Sequence, residues 1–361
     1  MHKRGLKMNR EIWKIAFAYT GVIVGAGFST GQEILQFFTN HGLYSYAAIL
    51  LSGLMVLFIG RQATKFGYRI QADSHKAPIF TMFGKVTGTI IDYLFVFFLY
   101  GIAVIMFAGA GSAFNESFGL PTWLGTLIMV CFIVITLMLD FDKIVAALGV
   151  VTPFLIAVVV IIAMLNIFNP QVPLDTVDAL ADASRTPSGV WFLDGAMYAG
   201  FTLATAFSFL SIMGANASSH KAAARGGLLG GVVITVLMLL INAALISNMD
   251  VVNDIALPTL ALAANIHPAL QLTLAIVMLL VIYNTGVGVL YPFLKRYSEP
   301  YTKKYYTILI IAAVVGYFLS FVGFVELVGI VYPAFGILGL LIGLGLTSRW
   351  FMNKSSRKEL L

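Results

Sequence analysis

The chain has 361 residues, of which 60% are hydrophobic and 11% are charged, and its formal net charge is +6. Soluble domains carry roughly 25% charged residues, so this composition excludes a soluble globular protein and indicates a polytopic membrane protein. A single cysteine, Cys131, excludes a disulfide framework, and the five histidines fall in loops or at segment ends. We therefore expect no transition-metal site.

Ten apolar stretches are long enough to cross about 30 Å of hydrocarbon as helices. In chain order they cover residues 11–39, 43–66, 86–114, 121–140, 143–168, 190–214, 224–248, 267–295, 305–322 and 324–348. The sequence therefore predicts an all-α membrane protein with ten transmembrane helices, and its expected partner is the lipid bilayer.

The basic residues fall on one side of these predicted spans. With a cytoplasmic N-terminus, every Lys and Arg except Arg185 lies in a cytoplasmic segment. This predicts a multi-pass protein of the cell membrane with both termini in the cytoplasm. Because topology explains the positive charge, we expect no nucleic-acid partner.

Glycines interrupt the first apolar span between Tyr19 and Glu33. Four of them lie within 15 residues, at positions 21, 25, 27 and 31. Each glycine costs about 1 kcal/mol relative to alanine inside a helix and frees the backbone. Freed backbone at membrane depth is tolerated where it is buried in protein or lines a cavity. The pattern predicts a break at residues 21–28 that forms half of a binding site.

The sixth span repeats this character between Trp191 and Ser211, with small residues at Gly200, Ala204 and Ala206. Interrupted helices at matching positions of two halves indicate a transporter built from inverted repeats. We predict discontinuous helices 1 and 6 and two five-helix repeats. The repeats cover residues 1–168 and 190–348, joined by an extracellular loop at 169–189 and followed by a cytoplasmic tail at 349–361. The alternative is that small residues in this span only allow close helix packing.

Two loops on the predicted outer side are longer than a connection needs. Residues 170–189 and residues 249–266 each contain a stretch that suggests a short surface helix. Such a helix is either a lid over the binding site or an interfacial helix at the membrane surface. The sequence leaves both alternatives open.

Three short motifs carry a resemblance to a known family. They are Gly21–Gly27, Phe201–Phe207 and Asn284–Pro292, in the first, sixth and eighth spans. The chain resembles the five-plus-five inverted-repeat transporters of the amino acid–polyamine–organocation superfamily, which have the leucine-transporter-type fold. Within it, the chain looks most like the YkvI-type bacterial membrane proteins, described as amino-acid permeases.

The resemblance and the broken helices together predict a substrate site. Half-helix ends at mid-membrane present partial charges, so backbone amides at the first break can bind a carboxylate. The tyrosine of the third span either closes the site or fills a packed core. The expected substrate-binding residues are Gly25, Ala26, Gly27, Tyr100, Phe201, Thr202, Ala204, Thr205 and Phe207.

An ion site is expected beside the same break, with sodium as the coupling ion and no other cofactor. Sodium prefers several oxygen ligands, which the backbone carbonyls of Gly21, Val24 and Val281 would supply. The side chains of Asn284 and Thr285 would add two more, on one face of the eighth span. The alternative is that these two side chains only form hydrogen bonds between helices.

Carboxylates inside a membrane are costly and indicate function by default. Glu33 and Glu326 are predicted in the outer half of the membrane, as gating or proton-coupling groups. Asp92 is expected to contact a basic residue of an inner loop. Asp194 is expected near the surface, where water solvates it.

These features favour a secondary active transporter, an ion-coupled symporter for a small amino acid or related amine. No nucleotide-binding G-x-x-x-x-G-K-[ST] motif and no catalytic constellation occurs, so we expect no enzyme. The alternatives are a proton-coupled carrier of an organic cation, a channel, and a non-transporting membrane sensor with the same fold. Substrate identity and oligomeric state stay open.

Overall fold

The computed structural model describes residues 2–72, 76–139, 151–253 and 255–358. Over these ranges the chain forms α-helices and short 3-10 turns, and no strand. The α-helices are α1 His2–Ile23, α2 Ala26–Thr30, α3 Gln32–Phe37, α4 Tyr44–Ile70, α5 Ala77–Phe118, α6 Thr122–Met138, α7 Val151–Phe168, α8 Val177–Leu180, α9 Trp191–Ala215, α10 His220–Ile246, α11 Met249–Val252, α12 Pro258–Ile266, α13 Pro268–Tyr297, α14 Lys303–Leu319 and α15 Phe324–Lys358.

Seven helices of the described ranges are long and apolar enough to cross a membrane. They are α4, α5, α9, α10, α13, α14 with the turn after it, and α15. The apolar helices α6 and α7 are shorter, and residues 143–150 of the predicted fifth span and residue 140 of the fourth lie outside the described residues. The predicted first span is divided among α1, α2 and α3. The structure thus supports a multi-pass helical membrane protein, while the count of ten spans stays a prediction.

The long helices pack in two groups. In one group α4 packs on α9 and α10, and α10 packs on α1. In the other, α5 packs on α6, α13 and α14. Helix α15 contacts α9 in the first group and α5 in the second, while α7 contacts α10 and α13. The first group carries the broken segment, and the second group forms a wall beside it.

Several contacts between helices have a counterpart elsewhere in the molecule. The counterpart is found when each helix of the pair is replaced by the helix at the same position in the other half of the chain. The pair of α1 with α10 corresponds to the pair of α9 with α4, and the pair of α7 with α10 corresponds to α15 with α4. Likewise α6 contacts α13 as α14 contacts α5. Two five-helix repeats would produce this pattern of contacts. The inverted relation between the halves remains a prediction.

The predicted break in the sixth span is wrong, because α9 runs without interruption from Trp191 to Ala215. Its central glycine serves helix packing instead. A Cβ on Gly200 would overlap the carbonyl oxygen of Gly336, and a Cβ on Gly339 would overlap the carbonyl oxygen of Gly200. Glycines on both helices thus let the backbones of α9 and α15 touch. Close packing, the alternative considered from the sequence, accounts for the small residues here.

Candidate functional site

The first helix ends inside the predicted glycine-rich stretch. The amide of Gly25 donates to the carbonyl of Ile23, two residues back, at 2.7 Å, instead of following the i to i−4 pattern toward Gly21. Gly25 is extended (φ −99°, ψ −158°), and the next helix begins with the Ser29 amide donating to the Gly25 carbonyl at 3.0 Å. The break therefore lies at Val24 and Gly25, and it redirects hydrogen bonding at the end of α1.

A second interruption follows at Gly31, between α2 and α3. Its φ of +77° is left-handed, a conformation that glycine adopts without a steric penalty. A Cβ there would also lie 3.2 Å from the backbone nitrogen of Thr259 and 3.4 Å from the Cβ of Pro258. Gly31 therefore allows both the turn of the chain and the close approach of α12.

Helix α12, in the second of the two predicted surface segments, packs on α2 and on the second interruption at Gly31. The Thr259 hydroxyl donates to the carbonyl of Ser29 at 2.5 Å, and Leu257 and Leu260 are buried beneath the segment. The other segment, around α8, lies at the end of the broken region, where Asp178 accepts the amide of Leu43 at 2.8 Å. We call residues 249–266 the lid segment, and the face of the molecule that carries it the lid side. Its movement as a lid stays a prediction.

A buried carboxylate, Glu33, lies at the centre of this region. Its side chain belongs to a residue only 3% exposed, and the Tyr198 hydroxyl donates to its Oε2 at 3.1 Å. The Tyr332 hydroxyl is its second hydrogen-bond partner. Among the residues that the structure describes, Glu33 forms no ion pair. Gly27 makes room for this cluster, because a Cβ there would overlap Glu33 Oε1 and lie 2.8 Å from the Tyr332 hydroxyl oxygen.

Aromatic stacking connects the cluster to the predicted substrate residues of the sixth span. The Phe201 ring stacks on Tyr332 with a centroid distance of 4.3 Å and an interplanar angle of 19°. Glu33, Gly27 and Phe201 therefore meet around Tyr332. Two residues of this cluster, Tyr198 and Tyr332, were missed by the sequence analysis. Tyr198 precedes Phe201 by three positions on the same helix face, a spacing that could have indicated it.

The other predicted substrate residues of α9 differ in their surroundings. Thr205 is half-buried and its hydroxyl donates to the carbonyl of Phe201 in its own helix at 2.8 Å. Thr202 is fully buried, and its hydroxyl has no hydrogen-bond partner in the described part of the protein. Ala204 and Phe207 are also fully buried. Only the Thr202 hydroxyl in this set is left to bind a ligand.

The predicted ion-binding residues of α13 lie against the break. A Cβ built on Gly25 would be 3.5 Å from the Thr285 hydroxyl oxygen. Val281 is buried one turn earlier, and Asn284 is half-buried. The structure thus brings Thr285 to the redirected backbone at Gly25, and the carbonyls of Gly21 and Val24 as ion ligands stay a prediction. Within the described ranges no group of three or more His, Cys, Asp or Glu could hold a metal ion.

Tyr100 is held by the neighbouring helices rather than by the break. Its hydroxyl donates to the carbonyl of Ala312 in α14 at 2.8 Å, and its ring stacks on Phe293 with a centroid distance of 4.9 Å. This arrangement matches the packed-core alternative considered from the sequence. The prediction that its hydroxyl closes the substrate site has no geometric support here.

Glu326 is exposed in the first turn of α15, and its depth in the membrane and its role in gating or proton coupling stay predictions. Its carboxylate folds back toward Gly323, beside the N-terminal amides that favour a negative charge. Tyr332, the partner of Glu33, lies six residues later, about 9 Å along the helix. Glu326 is therefore separate from the Glu33 cluster.

The two predicted aspartates have opposite outcomes. Asp92 accepts contact from Arg296 at 2.9 Å and from Lys76 at 3.8 Å, so the expected basic partners are confirmed. Asp194, expected near the surface, is instead fully buried and pairs with His41 Nε2 at 2.8 Å. The expectation of solvation was wrong because the 3-10 turn at Thr39–His41 folds over the start of α9.

The comparisons with known proteins follow this geometry. No family model matches the chain. The chain is 28% identical over 334 residues to an uncharacterised membrane protein, YkvI, of Bacillus subtilis, covering 91% of this chain and 92% of that protein.

Solved structures share the architecture. An inward-facing structure of Mhp1 aligns with a TM-score of 0.60 at 16% identity, over 94% of this chain and 76% of that one. A mutant of the Eremococcus coleocola manganese transporter aligns with a TM-score of 0.52 at 17% identity, over 93% and 79%. This is a fold of membrane transporters rather than of enzymes. The resemblance inferred from the sequence is thus confirmed: the chain is similar to YkvI over nearly its whole length and has the leucine-transporter-type fold.

Proposed function

We propose that the chain is a secondary active transporter that moves a small amino acid or related amine across the membrane by alternating access. The observation that carries this proposal is the helix break at Val24 and Gly25, inside an apolar segment whose next helix, α2, contacts α12 through Ser29. Irregular backbone at membrane depth is characteristic of substrate sites in transporters of this architecture. Residues from both halves of the chain meet there.

Substrate recognition would use backbone and buried side chains around the break. No side chain of its own shields the backbone at Gly25 from a carboxylate, whereas the space beside Gly27 is filled by the Glu33 carboxylate, so the predicted role of Gly27 in binding the substrate has no support in this geometry. Phe201 offers an aromatic wall, and the buried Thr202 hydroxyl offers a donor and acceptor without a protein partner. A buried hydroxyl without a partner is costly, and a bound ligand would remove that cost.

Coupling to sodium is our first choice of mechanism. Carbonyl oxygens of Gly21, Val24 and Val281, with the side chains of Asn284 and Thr285, would form the site. Two observations support it: the Gly25 amide turns away from the Gly21 carbonyl, and the Thr285 hydroxyl faces Gly25. Under this proposal, sodium binding should order the break and favour substrate binding, because both share one backbone segment.

Proton coupling is the second candidate, and the Glu33 cluster favours it. A buried carboxylate is expensive to keep charged, and here two tyrosine hydroxyls rather than a cation are its partners. Such a group could release and take up a proton as the site opens to each side. In this mechanism Glu33 would be charged only when water or a cationic substrate reaches it.

A thermal-shift screen of the purified protein against amino acids and amines, with and without sodium, tests both mechanisms. Sodium-dependent stabilisation by a ligand supports the first, and the Thr285→Ala variant should then need more sodium for half-maximal binding. Sodium-independent binding would overturn the sodium site and promote the proton mechanism. Counterflow of the labelled hit would distinguish a carrier from a channel, and binding without uptake would indicate a sensor.

A further inference from the structure

A groove of about 600 Å³ opens on the lid side, apart from the helix break. Its walls are the end of α5, the start of α6, the lid segment and the start of α13. The polar residues that line it are Ser112, Asn115, Glu116, Thr122, Asn265 and Gln271. Val251, Ile255 and Leu260 give it an apolar side. We call this space the outer groove.

Glu116 is the one acidic residue among the described residues that line the outer groove. Its carboxylate accepts hydrogen bonds from the backbone amides of Ala256 and Leu257, at the start of the lid segment. Those two bonds use part of its capacity, because a carboxylate can accept about four. None of the ion pairs between described residues includes Glu116. The groove therefore presents a carboxyl group that no basic side chain of the described residues pairs with.

The surrounding charges make a cation the preferred ligand. Acidic residues on the lid side outside the groove are Asp175, Asp178, Asp182, Asp250 and Glu326. Arg185 is a basic residue on the same side. It pairs with Asp182 at 3.2 Å and donates to the carbonyl of Asn253 at 2.5 Å. A surface with one sign of charge attracts ligands of the opposite sign.

We propose that the outer groove binds a small organic ammonium ion, with its nitrogen at Glu116 and its hydrocarbon part against Ile255 and Leu260. A hard metal cation fits less well, because magnesium and calcium prefer several oxygen ligands and a polar shell. Side-chain amides of Asn265 and Gln271 can accept the remaining N–H donors of the ligand. This site is separate from the helix break and does not depend on the proposed transport function.

Residues of the lid segment form one wall of the outer groove, so a ligand bound there would contact the lid segment directly. The ligand would contact Ala256 and Leu260, and Thr259, which lies between them in the chain, donates to the Ser29 carbonyl of α2. Occupancy would therefore add contacts that exist only while the lid segment keeps its present position. By linkage, such a ligand favours the present position of the lid segment on α2.

The test uses the full-length protein with Cys131→Ala and a reporter cysteine at Ala264, an exposed residue of the groove wall. The probe is phenethylamine, and 2-phenylethanol is its uncharged counterpart. Phenethylamine should slow the reaction of the Ala264→Cys thiol with a polar maleimide at least about fivefold. 2-Phenylethanol should not slow it, because it lacks the ammonium group that forms the charge-assisted hydrogen bond with Glu116. A cysteine at Ala179, exposed on α8 outside the groove, should react at the same rate throughout.

Three charge variants decide the assignment. Glu116→Gln should raise the phenethylamine concentration needed for half-maximal protection at least about tenfold, whereas Asp175→Asn, which removes an exposed charge from the same side, should change it little. Asn265→Asp adds a carboxylate to the groove and should lower that concentration, which keeps the test valid if Glu116→Gln disturbs the lid segment. Protection that is equal in all variants, or no protection at about 10 mM amine, would overturn the proposal.

Discussion

Two glycines of the break offer a matched pair of substitutions. Alanine at Gly27 would place its Cβ on top of Glu33 Oε1 and 2.7 Å from the carboxyl carbon, whereas alanine at Gly25 would meet the Thr285 hydroxyl oxygen at 3.5 Å. The first distance to carbon is roughly 1 Å inside an ordinary carbon–carbon contact of about 3.5–4.0 Å, while the second distance is an ordinary contact. Gly27→Ala must therefore displace the Glu33 carboxylate, and Gly25→Ala must not.

The cost of that displacement follows from the bonds it breaks. The carboxylate would leave the Tyr198 hydroxyl, now at 3.1 Å, and the Tyr332 hydroxyl. If Glu33 is charged, each of these hydrogen bonds contributes about 1.5–3 kcal/mol, so losing both costs about 3–6 kcal/mol, and the figures below are for this charged state. Helix propensity works the other way by about 1 kcal/mol, because alanine is favoured over glycine in α2. We expect Gly27→Ala to lose about 2–5 kcal/mol and Gly25→Ala to lose less than about 1 kcal/mol.

Unfolding of both variants in the same detergent, by heat and by denaturant, measures this difference. Uptake of a ligand found in the screen should fail in Gly27→Ala, and a Glu33→Gln background should reduce the stability difference, since the displaced group is then uncharged. Equal stability and uptake of Gly25→Ala and Gly27→Ala would refute the assignment of Gly27 as the space that holds the Glu33 carboxylate.

Tyr198→Phe should destabilise the protein by about 1.5–3 kcal/mol if Glu33 is charged, but by about 1 kcal/mol or less if it is protonated. Unfolding free energies measured from pH 5 to 9 separate these cases, with Tyr100→Phe as the control because it loses a hydrogen bond to a neutral carbonyl. If the difference in stability between the two variants does not depend on pH, the result argues against proton coupling. Thr285→Ala should raise the sodium concentration for half-maximal ligand stabilisation, and an unchanged value contradicts the sodium site. Arg296→Met should cost about 1–3 kcal/mol in denaturant unfolding by leaving buried Asp92 with Lys76 alone, whereas equal stabilities would contradict a structural ion pair.

The success of the sequence analysis depended on whether a residue pattern had a local cause. Gly25 and Gly31 change the backbone where they occur, so the interruption of the first span could be predicted from the glycine-rich stretch alone. Gly200 has the same composition signal, but its cause is the backbone of α15, which no local pattern identifies. Small residues occur in a helix either because the helix breaks there or because another helix packs closely against it. The sequence of one helix does not distinguish these two causes when the partner helix is unknown.

Side-chain partners were predicted only where charge demanded one. Asp92 needed a cation, and basic residues were available on the predicted inner side. No basic residue was available as a partner for Glu33 on the predicted outer side. Its hydrogen bonds to two tyrosines of distant helices depend on packing that the sequence alone does not reveal. The prediction that Asp194 is solvated failed for a related reason. The turn that contains His41 belongs to another part of the chain and covers the Asp194 side chain. Long-range enclosure, rather than helix formation, set the limit of prediction.

The direct backbone contact of α9 with α15 has a mechanical consequence. Sliding either helix past the other by one residue would drive a Cβ into a carbonyl oxygen, because Gly200, Gly336 and Gly339 occupy the points of closest approach. The two helices are therefore interlocked and should travel as one rigid body. The stacked rings of Phe201 and Tyr332, one on each helix, would travel with them. Any opening toward Glu33 must then come from elements outside this rigid block, such as the short segments between Ile23 and Phe38 and the lid segment that contacts them.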